Sequence, residues 1–278
     1  MKTRTLVATT WILALGFAGA ASAQTETNHL WPTFAVAVGS YQVSSSDEIR
    51  IEGTIDRLGQ EVDLGQEFGL GDRESVFGGN FQWAFADKHS LGLATYALKR
   101  DASRSIERDI EIGDVVFPVG ASASIEFKQT FIEATYDYWF LRRENFGVGA
   151  SFGLVYLSLD AKAQASYRFG NSGQTTTVQE SASTDLPVPM IGMVAKGSTW
   201  PWLVLHGGLR YLPSVTVDKY SGEAASYAVG ADFYVWGPLA VGVAYSGTLY
   251  KADVDDSGWN GSVDLAYEGA EIYLRAGF

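Results

Sequence analysis

From Phe77 to Phe85 every second residue is either aromatic or glycine (Phe77, Gly79, Phe81, Trp83, Phe85), and Gly78, Asn80, Gln82 and Ala84 stand between them. A period of two is a strand period, because successive side chains on an extended backbone point to opposite faces. The fold is constrained by the nature of the two faces: one suits hydrocarbon, and the other is small or polar. The same split recurs in Ala225, Tyr227, Val229, Ala231, Phe233 and Val235 against Ser226, Ala228, Gly230, Asp232 and Tyr234. It recurs again in Leu239, Val241, Val243 and Tyr245 against Ala240, Gly242, Ala244, Ser246 and Thr248. Small polar residues on one face are what a narrow barrel interior needs, since large side chains there would overfill it.

The start of the chain says where such strands would go. Lys2 and Arg4 precede an apolar run from Trp11 to Ala20, and Ala21-Ser22-Ala23 stands before Gln24. This is the pattern of a secretory signal peptide spanning 1–23, with 24–278 expected to remain as one domain. The apolar run is too short for a membrane anchor, and after Ala23 nothing approaches the roughly 20 consecutive apolar residues of a spanning helix. An exported chain of this kind is either a soluble protein or a β-barrel. Without cysteine there is no disulfide, thiolate chemistry or Cys-based zinc site. A net charge of −12, more negative still once Lys2 and Arg4 are removed, disfavours nucleic acid as a partner. Asp47, Glu48, Asp72, Glu74, Asp253, Asp255 and Asp256 fall in loop-like segments and read as a solvated acidic surface.

The alternation predicts ten principal strands, over 32–43, 75–87, 90–101, 123–141, 145–165, 186–197, 201–217, 223–236, 239–252 and 262–278. The connections support this count independently. Ala86 to His89, Arg142 to Glu144, Gly197 to Trp200 and Gly237-Pro238 are short, and they alternate with longer polar segments at 44–74, 102–122, 166–185, around Pro213 to Gly222, and 253–261. Short turns on one rim and long loops on the other is the asymmetry of transmembrane barrels, whose short turns are periplasmic. The expected fold class is therefore all-β, an antiparallel up-and-down transmembrane β-barrel of ten strands, with eight or twelve as the alternatives. Twelve would require both Glu48 to Ile55 and Glu61 to Phe68 to cross the bilayer. Their charges (Arg50, Glu52, Asp63, Glu67) favour a hairpin above it.

Three irregularities stand out. Leu91 and Leu93 fall on one face of their strand and Tyr96 and Leu98 on the other, leaving its register open. Pro187 and Pro189 remove ladder donors and suggest an edge, bulge or rim position. Leu265 and Tyr267 are out of phase with Ile272 and Leu274, which suggests a bulge near Glu268-Gly269.

The chain ends on Ile272, Leu274, Ala276 and Phe278, alternating with Glu271, Tyr273, Arg275 and Gly277. This segment resembles the closing strand of Gram-negative outer-membrane β-barrels. With the signal peptide and the loop asymmetry, the whole mature chain resembles the broad OmpA/OmpW-like group of small barrels. The resemblance implies an integral outer-membrane protein in contact with lipid and lipopolysaccharide. It also implies that Ile272, Leu274, Ala276 and Phe278 are the signal read by the barrel-assembly machinery.

Assigning faces from the apolar sets sends Glu133, Asp137, His206, Arg210, Asp232, Glu271 and Arg275 into the lumen. Basic groups facing lipid at the midplane would cost about 2–4 kcal/mol each, whereas inside the barrel they can pair. These groups either form a salt-bridged plug, the commoner outcome, or line a polar passage for small solutes in which Arg210 and Arg275 set selectivity. Aromatics at strand ends, including Trp139, Phe140, Phe146, Trp200, Trp202, Trp236 and Tyr250, read as interfacial girdles.

Enzymatic motifs are not evident. His29, His89 and His206 are the three histidines, and none falls in a proposed extracellular loop, so the pattern of omptin-like surface proteases is not matched. His206 with a nearby serine is the remaining candidate for rim chemistry of the kind lipid A deacylases and palmitoyl transferases perform. Metal-ligand spacing, a Gly-x-Ser-x-Gly elbow and a phosphate loop are all lacking, and Gly147, Gly149 and Gly153 read as small inward positions of a strand. No cofactor or metal is expected. The functions left open are a small passive channel or structural barrel, a rim enzyme, and a receptor or adhesin working through the loops.

Overall fold

The computed structural model describes residues 29–52, 61–63, 73–105, 107, 109–112, 115–168, 175–217, 220–256 and 259–278. The signal peptide assigned to 1–23 lies outside them. Thirteen strands occur among the described residues: β1 (Phe34–Glu52), β2 (Glu61–Asp63), β3 (Arg73–Ala86), β4 (His89–Ser105), β5 (Ile110–Ile112), β6 (Val115–Phe117), β7 (Ser122–Arg142), β8 (Phe146–Arg168), β9 (Thr175–Trp200), β10 (Leu203–Val217), β11 (Tyr220–Trp236), β12 (Leu239–Asp256) and β13 (Trp259–Gly277). Ten of them form one antiparallel sheet in sequence order, and β13 pairs with β1 to close it into a ring. Phe34 and Phe278 seal the closure by exchanging backbone bonds, Phe34 N to Phe278 O at 2.9 Å and Phe278 N to Phe34 O at 2.7 Å.

The outer face carries the apolar set. On β8 the residues Phe146, Phe152, Leu154 and Tyr156 point outward and are exposed, and the outward series then turns to Ser158, Asp160 and Lys162. That change marks the extracellular edge of an apolar belt. On neighbouring β7 the belt runs from Phe140 to Ile132, the latter directly opposite Tyr156. Ile191 is 65 % exposed, Leu274 63 % and Val229 61 %. A continuous exposed surface of this kind belongs to a protein whose solvent there is lipid. At the opposite rim, by the short turns, Trp200, Trp202 and Phe233 stack in series at ring separations of 5.7 and 6.2 Å. Phe140, Phe146, Trp200, Trp202 and Trp236 sit on the outside as expected of girdles. Trp139 and Tyr250 do not: both are buried inside the barrel.

The interior explains the irregularities in the sequence. Its extracellular half holds an apolar cluster that includes Leu98, Phe127, Phe131, Leu157, Leu265 and Tyr267, with Arg100 and Gln129 buried against it. Phe127 is 1 % exposed, and Leu157 and Leu265 are wholly buried. Each such side chain contributes about 1.5–3 kcal/mol relative to a water-filled lumen. Leu265 and Tyr267 therefore share the inward face with Glu271, Tyr273 and Arg275, and β13 keeps one uninterrupted register against both β1 and β12. No bulge forms at Glu268-Gly269. Tyr96 and Leu98 likewise point inward in a regular β4, with Leu91 and Leu93 outward.

The loops are shorter than the polar composition suggests. β8 and β9 pair as far as Arg168 opposite Thr175, and β10 and β11 as far as Val217 opposite Tyr220, through an irregularity between Leu212 and Val215 at Pro213. Above the belt no lipid demands an apolar outer face, so strand continues through Thr- and Ser-rich sequence. The first piece of the expected hairpin is the end of β1, and Glu61–Asp63 pairs with its residues 48–50. The rest of that loop lies outside the described residues, and ten strands cross rather than twelve.

Two ladders in the wall stop early. β3 and β4 pair only as far as Gly78 opposite Tyr96, and β9 and β10 only as far as Ile191 opposite Tyr211. Continued by two residues, the second register would bring Pro189 against Pro213, neither of which has an N–H to donate. Of the edge, bulge or rim position expected of Pro187 and Pro189, the structure gives an edge: both lie beyond the end of the β9–β10 ladder while β9 stays paired to β8.

Candidate functional site: a charged chamber in the lumen

Below the apolar cluster the lumen widens into a cavity of about 420 Å³. Its ceiling is aromatic and apolar, formed by Tyr41, Tyr96, Phe131, Val155, Met190 and Tyr250. All seven ionisable residues assigned to the lumen line it: Glu133, Asp137, His206, Arg210, Asp232, Glu271 and Arg275. Each sits at an inward position of a regular strand.

They form two hydrogen-bonded groups. In the first, Arg210 Nη1 donates to Glu133 Oε1 at 2.8 Å, and its Nε donates to Ser151 Oγ at 2.9 Å. Ser151 Oγ in turn donates to Asp137 Oδ1 at 2.6 Å. Trp139 Nε1 donates to Ser90 Oγ at 3.1 Å, and Ser90 reaches Asp137 Oδ2 at 3.5 Å. A Cβ on Gly153 would lie 3.2 Å from Arg210 Cδ and 3.4 Å from Glu133 Oε1, so the glycine makes room for this bridge.

The second group centres on Asp232. Tyr273 donates its hydroxyl proton to Asp232 Oδ1 at 2.6 Å, and His206 Nε2 lies 2.9 Å from the same Tyr273 oxygen. The one phenolic proton is committed to the carboxylate, so the phenol can only accept from the ring, and His206 carries a proton on Nε2. Arg275 Nε stands 3.5 Å from Asp232 Oδ2, and its Nη2 donates to Gln82 Oε1 at 3.3 Å. Gly242 leaves space for Tyr273, whose ring would overlap any Cβ placed there.

The segment before β1 packs into the periplasmic end. Leu30, 2 % exposed, packs with Val204, Tyr234 and Ala240. Beside it Trp31 donates from Nε1 to the Arg143 carbonyl at 2.8 Å and meets Trp139 edge-on at 5.1 Å. Lys196 Nζ lies 4.1 Å from the Trp31 ring centre and 4.7 Å from that of Trp139, and the Arg142 guanidinium is 4.4 Å from Trp31. His29 stacks on Tyr234 at 3.9 Å. The chamber is thus bounded by apolar packing toward the cell exterior and by an aromatic and cationic floor toward the periplasm.

Sequence reasoning missed Tyr273, Ser90, Ser151, Gln82, Lys196 and Trp31. The first could have been found from its place between Glu271 and Arg275 on one strand face. Lys196 and Trp31 give no such signal, because their meeting depends on how the N-terminal segment turns into the barrel. Glu271 and Tyr41 are directly opposite each other across β13 and β1. The contacts found for His206 are Tyr273 and, at 3.6 Å, the Asp232 carboxylate, not a serine. Among the described residues no group of His, Cys, Asp and Glu has metal-site geometry.

A closed antiparallel ring with an apolar exterior, aromatic girdles and a packed lumen defines an outer-membrane β-barrel protein. Among solved structures, one it is similar to is an outer-membrane protein. The outer-membrane protease OmpT of Escherichia coli superposes with a TM-score of 0.58 at 13 % identity, over 88 % of this chain and 96 % of that one. The Pseudomonas putida toluene transporter TodX gives a TM-score of 0.37 at 8 % identity over 91 % and 92 % of the two chains. Ail, the attachment invasion locus protein of Yersinia pestis, gives 0.31 at 10 % over 86 % and 97 %. At these identities the likeness to OmpT concerns the fold alone, and the weaker two add nothing to it. The sequence matches no protein-family model and no curated protein.

Proposed function

We propose that this protein serves as a closed outer-membrane barrel and not as an open diffusion pore. One observation carries the reading: Phe127, Leu157 and Leu265 belong to one buried cluster in the extracellular half of the lumen and have essentially no exposure. An ion would have to cross this packed layer, in which Arg100 lies over the Phe127 ring and Gln129 bonds Tyr267 among the apolar side chains. The floor made by Leu30 and Trp31 adds a second barrier in series. The paired charges Arg210 with Glu133 and Arg275 with Asp232 act in this reading as a rigid lumen network, not as a selectivity filter. Solute passage would require displacement of both seals. Recording from the purified barrel in planar bilayers tests this, with no step conductance above background expected, and regular steps overturning it. Contact with lipopolysaccharide and insertion by the barrel-assembly machinery belong to the same proposal, through the apolar belt and the closing strand.

A further inference from the structure

The charges that line the chamber are not evenly matched. Four carboxylates, Glu133, Asp137, Asp232 and Glu271, face it with three basic side chains, Lys196, Arg210 and Arg275. All three are engaged elsewhere: Arg210 with Glu133, Arg275 with Asp232 and Gln82, and Lys196 on the indoles of Trp31 and Trp139. Three of the carboxylates are also committed, Asp137 to Ser151 and Ser90, Glu133 to Arg210, and Asp232 to Tyr273 and Arg275. Glu271 is different. It lines the cavity, yet makes no hydrogen bond or ion pair among the described residues. His206 is turned to Tyr273, at 2.9 Å, and to the Asp232 carboxylate, at 3.6 Å.

Beside this carboxylate stands an aromatic wall. Tyr41 faces Glu271 across the β13–β1 pair, Tyr96 meets Tyr41 at 70° and 6.1 Å, and Phe131 stacks on Tyr96 at 4.4 Å. Aromatic faces are electronegative and attract cations, most strongly where water is scarce. An uncommitted carboxylate next to three ring systems, in a space of about 420 Å³, has the size and chemistry of a small-ligand pocket.

We propose that the chamber binds a small organic cation with an aromatic or apolar body, its ammonium group against Glu271 and its body beneath Tyr41, Tyr96 and Phe131. A neutral molecule of the same shape leaves the carboxylate without a counter-charge, and an anion is repelled by it.

The test uses the full mature chain refolded in detergent with phenethylamine, 2-phenylethanol or 3-phenylpropionate present during refolding, so that access to the closed chamber is not limiting. Binding is then measured by competitive displacement and by the shift in thermal midpoint. Phenethylamine is expected to bind at least about tenfold more tightly than the alcohol and to raise the midpoint, and the acid is expected to bind most weakly. Glu271→Gln is expected to lose that preference while keeping the affinity for the alcohol, and Glu271→Asp to retain part of it. Equal affinity for amine and alcohol in the unaltered chain overturns the proposal whether or not the variants fold. So does an unchanged amine preference in folded Glu271→Gln, or no saturable amine binding. The readout is independent of conductance, so a barrel that conducts and still prefers the amine contradicts only the closed-barrel reading.

Discussion

Lys196 Nζ stands 4.1 Å above the ring of Trp31, a residue that precedes the first strand, so the floor of the chamber is fastened to the wall by a cation–π contact and not by an ion pair. Trp31 also fills the space over Gly147, where a Cβ would overlap its indole. The N-terminal segment therefore works as a fitted plug.

Trp31→Ala removes the cation–π contacts to Lys196 and Arg142, at a cost of about 0.5–2 kcal/mol for the pair that is shielded from water. The ammonium group becomes reachable from the periplasmic end. Amine-reactive labelling of the folded barrel in detergent, followed by peptide mapping, is expected to show severalfold faster modification at Lys196. Unchanged labelling would mean that Trp31 does not cover it.

The Arg210–Glu133 bridge is a paired charge inside the lumen, and removing one member leaves the other uncompensated. Arg210→Met or Glu133→Gln alone is expected to cost about 3–5 kcal/mol in reversible urea unfolding from lipid vesicles. The double variant is expected to cost less than the sum of the two, since neither charge is then left alone. Additive losses would show that the two side chains do not act as a pair.

Glu126 lies on β7 beyond the extracellular edge of the belt. Lys128 Nζ is 2.9 Å from Glu126 Oε1 and Lys99 Nζ 3.1 Å from Oε2. Hydrogen bonds from Lys128 and then Lys99 hold its carboxyl down to about 2. A depressed carboxylate stabilises the fold above its ordinary titration range, and that contribution disappears as the pH falls through about 2. Carboxyl carbon shifts of Glu126 are expected to titrate with a midpoint near about 2 in the folded barrel. In Lys128→Ala the midpoint should move up toward the ordinary glutamate range; no movement would show that Lys128 does not set it.

Phe278 closes the ring with its backbone, while its side chain is exposed on the outer face. Phe278→Ala preserves both backbone bonds, so refolding in detergent and unfolding stability are expected to change by less than about 1 kcal/mol. If the closing strand is the assembly signal, the same variant inserts poorly in cells, seen as a loss of folded barrel in outer-membrane fractions. Normal insertion would show that the terminal aromatic is not what is read.

Much of the fold was legible because lipid imposes a simple rule on the outer face. Phe77 to Phe85, Ala225 to Val235 and Leu239 to Tyr245 all point as their alternation requires. Reading failed where lipid has no say. Leu265, Tyr267, Tyr96 and Leu98 are apolar yet face inward, because half of this lumen is a packed core, and apolarity alone cannot tell hydrocarbon from core. Thr175 to Thr177 belong to a strand because above the belt both faces can be polar. Residues that line the chamber could be enumerated from strand parity, but their partners could not. The Tyr273–Asp232 bond joins β13 to β11 across β12, and the Arg210–Glu133 bridge joins β10 to β7 across β8 and β9. Such pairings depend on stagger, which alternation within a strand does not encode.

The central claim is that the apolar layer at Phe127, Leu157 and Leu265 seals the lumen, and planar-bilayer recording of the purified barrel tests it most directly. The unaltered chain is expected to stay at background, and so is Trp31→Ala, because the extracellular seal remains intact when the floor is loosened. Combining Trp31→Ala with Phe127→Ala and Leu157→Ala is expected to produce discrete conductance steps. Steps of regular size from the unaltered protein would contradict the account.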